Sequence, residues 1–372
     1  MNFSRRAHWN APVNQLTIAR RGRGELLDLT VSNPTRAGID YPLEELSDVM
    51  ARAARPPYDP DPLGQRSARE ALARELACHP DDLVLTASTS EAYGFLFKLL
   101  CDPGDTVLTA TPSYPLLEHL AALELIELRP FALEYQQRWE LDIANVRAAL
   151  TDRTRAIVVV NPNNPTGSYV TADEQEALAA CGLPIVSDEV FRDYPVDAAP
   201  APSFMRDDVL TFALGGLSKG AGLPHYKLGW IRVSGPPAAR RAAVAALELI
   251  ADNFLSVATP VQAALPELLT LGARIRSAIL DRVRSNLVTL RAALPKAASV
   301  LPVEGGWSAV IRVPRTTSDE EFALQLLIRD GVVVHPGYFF DFAREGFLIV
   351  SLLTPTEAFA EGVGRLAQAI PK

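Results

Sequence analysis

Between about Leu83 and Val233 the chain alternates short apolar runs with longer amphipathic ones. Leu83–Ala87, Thr106–Ala110, Leu123–Leu128, Arg155–Val160, Pro184–Asp188, Val209–Leu214 and Gly229–Val233 are β-branched or leucine-rich and read as buried strands. Arg66–Ala77, Glu91–Leu100, Ile143–Leu150 and Thr171–Ala180 read as helices between several of them. Connections of that length are crossovers, which predicts a mostly parallel, seven-stranded sheet covered on both faces. Past Val233 the pattern changes. Ala238–Ile250 and Pro260–Ala292 read as long helices, the second interrupted only by Gly272. Ser299–Val313, Val332–His335 and Phe347–Leu353 read as strands, and Asp319–Arg329 and Thr356–Ile370 as helices. The expectation is an α/β chain with a large domain over residues 43–250 and a smaller α+β domain over 251–372. Residues 1–42, rich in Arg, Asn and Pro, have little periodicity and are expected to pack on the smaller part.

Composition narrows the function classes. A net charge of −8 argues against nucleic acid, which wants a basic face. No stretch approaches the roughly 18 apolar residues of a membrane helix, and no apolar run follows Arg5, Arg6 and His8 as a signal peptide requires. Three cysteines (Cys78, Cys101, Cys181) without a CxxC pair point to a reducing cytoplasm. Five histidines without paired spacing make a dedicated metal site an unexpected feature.

The chemistry is expected where the strands end, because ligands of open α/β sheets bind beyond the carboxyl ends of the strands. Thr86-Ala-Ser-Thr-Ser-Glu-Ala-Tyr runs from a strand into a helix whose free N–H groups suit a phosphate; Ser88 or Ser90 would equally serve as a plain N-cap. Thr111-Pro-Ser-Tyr-Pro offers Tyr114, either a ring to lie on an aromatic ligand or a packed turn residue. Val160-Asn-Pro-Asn-Asn-Pro-Thr-Gly carries two Asn-Pro steps, enough turn chemistry to fix Asn164 against a ligand oxygen or merely to brace the loop. Asp188 ends a buried strand in Ser187-Asp-Glu-Val-Phe-Arg-Asp-Tyr, a place where a carboxylate needs a cation. Lys219, in Gly215-Gly-Leu-Ser-Lys-Gly-Ala-Gly, is presented on a tight loop just past a strand.

In order and spacing, the NPNNPTG, SDEVFRDY and LSKGAG motifs resemble those of fold-type I pyridoxal-phosphate enzymes of the class I/II aminotransferase family, from about Leu29 to the C-terminus. The resemblance implies that Lys219 holds pyridoxal 5′-phosphate as a Schiff base and later shuttles a proton. It implies that Asp188 pairs with the ring nitrogen, that Asn164 bonds the ring's phenolic oxygen and that Tyr114 stacks on the ring. The phosphate would rest on the N–H groups of Ser88, Thr89 and Ser90 and on the Ser90 hydroxyl, with Ser218 and Lys227 on its far side. Tyr58 would reach the phosphate of a neighbouring subunit, which implies a homodimer with shared sites. Substrates would be an amino acid or amine as donor and a 2-oxo acid as acceptor. Asn33, Trp307, His335 and Tyr338 are expected as substrate contacts.

Four departures from the family pattern stand out. Phe191 replaces a tyrosine that touches the phenolic oxygen, Gly216 replaces a phosphate-binding serine, and Lys227 replaces an arginine. In Gly346-Phe-Leu-Ile-Val-Ser351, Ile349 stands where the family carries the arginine that binds the substrate's α-carboxylate. Either Arg344 or another basic residue takes that role, or the substrate has no carboxylate there. Two rivals remain. A β-elimination (C–S lyase) or decarboxylation reaction is compatible with the same site. Gly216-Leu-Ser-Lys-Gly220 also matches a serine-hydrolase elbow at Ser218, with His225 or His335 as the base, but Gly-Ala-Gly-Leu-Pro after it is unsuited to the helix that motif needs.

Overall fold

The structure is a computed structural model and describes residues 4, 6, 13–199 and 201–371. Fourteen strands are found among them. β1 (Leu27–Asp28) precedes the eight strands of the main sheet: β2 (Leu83–Thr86), β3 (Thr106–Thr111), β4 (Glu127–Gln136), β5 (Arg138–Leu141), β6 (Thr154–Val160), β7 (Ile185–Asp188), β8 (Thr211–Gly216) and β9 (Gly229–Ser234). The rest are β10 (Ser299–Val300), β11 (Ser308–Arg312), β12 (Val332–Val333), β13 (His335–Pro336) and β14 (Phe347–Ser351).

The main sheet has the order β2-β9-β8-β7-β6-β3-β4-β5. Strands β8, β7, β6, β3 and β4 are parallel, while β9 runs against both β8 and β2. It follows that β2, β3, β6, β7 and β8 all end on one edge. That edge carries the polar segments picked out from the sequence. β6 shows why the sheet forms. Ala156 and Val158 enter one apolar cluster with Phe95 and Phe212, whereas Ile157 and Val159 enter the cluster on the other face with Leu178 and Phe204. Alternate side chains therefore leave opposite faces, and helices cover both.

Four details correct the expected elements. Leu123 closes a helix, Leu116–Leu123, and the strand starts only at Glu127. Leu-Leu-Glu-His-Leu-Ala-Ala-Leu is too apolar for its period to be read. The sheet gains an eighth strand beyond the seven expected, because β4 turns at Gln137 (φ 67°) into β5 as a half-exposed hairpin. Ser299–Val313 is two strands, parted by Leu301–Trp307 with Gly306 at φ +88°. The helix at Asp319 changes to a π turn, Leu326–Asp330, and stops at Gly331 (φ 69°).

The second, antiparallel sheet has the order β10-β11-β14-β13. β1 pairs in parallel with β12, and Ser351 N–H donates to the Leu29 carbonyl at 2.7 Å, so the N-terminal segment lies along these strands. The long helix Thr259–Ala293 runs unbroken through Gly272, where a Cβ would come 2.4 Å from that of Ala221. The glycine lets this helix press on the loop that bears Lys219.

Candidate active site

Lys219 stands on a single helical turn, Leu217–Gly220, at the end of β8. The turn is braced: Tyr194 donates its hydroxyl to the Lys219 carbonyl at 2.6 Å, and Tyr41 donates to the Gly222 carbonyl at 2.5 Å. Lys219 Nζ donates to the Ser32 carbonyl at 3.1 Å and lies 5.0 Å from the ring centre of Trp307 and 5.8 Å from that of Phe191. Burial against these rings, with no carboxylate to offset it, pushes the ammonium down to about 8. A lysine so tuned gives up its proton far more readily than an ordinary one, as a nucleophile or base must.

Asp188 is buried at the end of β7. Its carboxylate accepts from the Tyr93 hydroxyl at 3.1 Å and from Val190 N–H at 3.2 Å, and among the described residues it pairs with no cation. Burial raises its pKa to about 6. The ion pair that a buried carboxylate calls for is thus not made within the described chain. Tyr114, about two-fifths exposed, is near enough for Asp188 to raise its pKa after the larger effect of burial.

The Asn161–Gly167 loop divides its work between two neighbours. Asn163 is buried and spends its amide inside the protein: Nδ2 donates to the Pro112 carbonyl and to Thr166 Oγ1, both at 2.9 Å, and Oδ1 accepts from Ser113 at 3.3 Å. That ties the Asn164 loop to the one bearing Tyr114. Asn164 accepts at Oδ1 from Ser308 (3.3 Å), and its Nδ2 takes no partner among the described residues.

The helix Thr89–Leu100 starts beside these groups. Ser88 is its N-cap, with its hydroxyl accepting from Glu91 N–H at 3.2 Å, so the plain capping role is filled. The N–H groups of Thr89 and Ser90 remain free at a positive dipole end. Gly229 brings β9 against them: a Cβ there would lie 3.0 Å from the Ser88 carbonyl carbon and 3.1 Å from Thr89 N. Gly229, two residues after the exposed Lys227 (φ 49°), pairs across β9 and β8 with Gly216, two residues before the half-buried Ser218.

A model for class I and II aminotransferases matches residues 59–366. This chain belongs to that aminotransferase family. Alanine aminotransferase of Mycobacterium tuberculosis is 26% identical over 381 aligned positions, covering 95% of this chain and 88% of that protein. Alanine aminotransferase of Pyrococcus furiosus shares the fold at a TM-score of 0.82 and 25% identity, over 93% and 92% of the two chains. A mutant of Thermus thermophilus aspartate aminotransferase does so at 0.83 and 25%, over the whole of both chains. Like its family, this aminotransferase depends on pyridoxal phosphate and acts as a transaminase. The lyase, decarboxylase and hydrolase readings are not favoured; His225 rests on Tyr226 and His335 lies against Phe339 and Phe340, neither joined to Ser218.

The site residues fit the cofactor. Asp188 is a buried carboxylate in need of a cation, which a protonated ring nitrogen supplies, and Lys219 is a desolvated amine on the same sheet edge. The other expected residues divide between the surroundings of Lys219 and the surface. Asn33 Oδ1 accepts from Thr35 N–H at 3.1 Å and from Thr35 Oγ1 at 2.8 Å, and the neighbouring Ser32 carbonyl meets Lys219. Tyr338 is exposed and donates to Glu320 at 3.0 Å. Arg344 is exposed beside Arg315, because Asp319 holds Gly346 N–H at 2.6 Å and turns the preceding residues outward. Tyr58 is 71% exposed and lines a surface groove with Phe95, Leu255 and Ser256, away from Lys219. Trp307 is buried against Phe191 and Tyr194, and its Nε1 has no partner. Tyr93, Ser32, Asn163 and Ser308 were not expected. Tyr93 alone left a local sign, one helical turn past Thr89 on the phosphate-facing helix.

Proposed function

We propose that Lys219, Asp188, Asn164, Tyr114 and the start of the helix Thr89–Leu100 form the cofactor site of this transaminase. The observation that carries the reading is the pairing, on one sheet edge, of a desolvated lysine with a buried, cation-free aspartate. Pyridoxal phosphate, when bound, supplies an aldehyde that captures amino groups and a ring that withdraws electrons from the carbon beside them. Lys219 Nζ would hold that aldehyde and would take the proton from the substrate's reacting carbon. Asp188, its carboxylate oriented by Tyr93, would hold a proton on the ring nitrogen. Asn164 Nδ2 is free to donate to the ring's phenolic oxygen. Tyr114 covers one ring face, and Thr89 and Ser90 N–H groups, with Ser218 and Lys227, receive the phosphate.

The working unit in this reading is a cytoplasmic homodimer. Tyr58 with its exposed neighbours Phe254 and Leu255 supports a subunit contact, and three unpaired cysteines support a reducing compartment. Borohydride reduction of the holoenzyme followed by peptide mass mapping tests the assignment: the cofactor mass is expected on Lys219. Attachment to Lys98, Lys227 or Lys296 would overturn it.

A further inference from the structure

The side of the site that faces Lys219 Nζ is walled by uncharged groups. A chain of contacts runs around the amine. Ser32 accepts from Nζ at 3.1 Å, and the next carbonyl back, that of Val31, accepts from Ser351 Oγ at 2.5 Å. Ser351 stands opposite Ser308 across β11 and β14, and Ser308 donates to Asn164 at 3.3 Å. Ile349 lies two residues before Ser351, hence on the same face of β14, and is buried among Trp139, Phe340 and Phe342. Trp307 and Phe191 close the remaining side. Burial pushes the pKa of His335, paired with Ile349, below the ordinary imidazole value.

Four arginines of the chain are already engaged. Arg276 bonds Asp193 at 3.2 Å and the Gly220 carbonyl at 3.3 Å, and Arg192 pairs with Glu189 and Asp193. Arg138 bonds Glu304 at 3.0 Å and the Tyr169 carbonyl at 2.8 Å, and Arg20 holds Asp28 at 2.5 Å. The hydroxyls of Ser308 and Ser351 already donate to Asn164 and Val31, and the indole Nε1 of Trp307 has no partner among the described residues. Neutral donors give a carboxylate hydrogen bonds but neither the counter-charge nor the two-point fork of a guanidinium. A carboxylate seated here sheds water without gaining a counter-charge, whereas an alkyl or aryl group meets a surface of its own kind.

Resting on the assignment of Lys219 as the reacting amine, we propose that the preferred amino donor is a primary amine whose amino-bearing carbon carries an alkyl or arylalkyl group and no carboxylate. The transfer balances with a 2-oxo acid as acceptor: R–CH2–NH2 + R′–CO–COOH gives R–CHO + R′–CH(NH2)–COOH. The donor carbon loses two electrons and the acceptor carbon gains them, so no further oxidant is needed. The acceptor's carboxylate meets only neutral donors, so its KM is high.

The test uses pairs of donors that differ only in the carboxylate: 2-phenylethylamine with L-phenylalanine, and 3-methylbutylamine with L-leucine. Each is given alone to the purified holoenzyme, and conversion of the cofactor chromophore is followed by absorbance. The amine of each pair is expected to exceed its amino acid in kcat/KM by about tenfold or more. Ile349→Arg is expected to narrow or reverse that ratio by improving the amino acid. Amino acids equal to or better than their amines in the unmodified enzyme overturn the inference, whatever the variant's folding. Failure of both amines while Lys219 is mapped as the attachment point overturns it too. Attachment elsewhere removes instead the assignment on which it rests.

Discussion

Replacing Lys219 by methionine is expected to stabilise the cofactor-free protein, and to do so only where the lysine is charged. The fall in the amine's pKa from 10.5 to about 8 comes from burial alone. At about 1.4 kcal/mol for each tenfold change in proton affinity, keeping the folded-state charge costs about 3 kcal/mol. Methionine keeps the length and apolar stem, removes the charge, and forfeits the hydrogen bond to Ser32, which contributes about 1 kcal/mol. The net gain is about 2 kcal/mol at pH 7. Its pH dependence follows from linkage. Below about pH 8 both folded and unfolded chains carry the proton and the full penalty applies. Between about 8 and 10.5 the unfolded chain binds the proton and the folded one does not, so wild-type stability rises with pH. Above 10.5 the penalty has gone. Urea unfolding of the two cofactor-free proteins, at one protein concentration and across that range, reads the difference directly. Other titrating groups are common to both proteins and cancel. A variant no more stable than wild type at pH 7, or a gap that stays constant up to pH 10.5, would refute the desolvated-lysine argument.

Asp188 must be ionised to hold a protonated ring, and its pKa is about 6, so cofactor affinity is expected to weaken about tenfold per pH unit below 6 in fluorescence titrations. Asp188→Asn should lower affinity about 10- to 100-fold and flatten that profile. Asn163→Ala removes two 2.9 Å bonds that join the Tyr114 and Asn164 loops, and urea unfolding should show a loss of about 2–3 kcal/mol. Gly229→Ala puts a Cβ 3.0 Å from the Ser88 backbone, so the helix start must shift. Affinity for pyridoxal phosphate should fall several-fold while affinity for pyridoxal, which has no phosphate, stays unchanged.

The strand ends were legible because burial leaves a local mark. A run such as Ile-Val-Val-Val can be read without knowing its neighbours, and a polar residue at its end marks the edge of the sheet. Leu123–Leu128 was misjudged because Leu-Glu-Leu-Ile-Glu-Leu looks like a strand, whereas its start closes a helix and turns at Leu125 (φ 61°) before the strand begins at Glu127. Tyr93, Ser32 and Ser308 reach Asp188, Lys219 and Asn164 across 95, 187 and 144 residues of chain, and no window of sequence contains such pairs. Arg344 misled in the opposite way. It lies five residues from Ile349 along the chain, yet Asp319 draws Gly346 inward and leaves the arginine outside. Charge in a pocket is therefore a property of what each cation already holds. Arg276, Arg192, Arg138 and Arg20 all carry the charge a carboxylate substrate would want, and each is committed to an acid. Freeing one of them would need its acid removed as well, so Ile349, on the strand face beside Ser351, is the position where a single substitution can alter the choice of substrate.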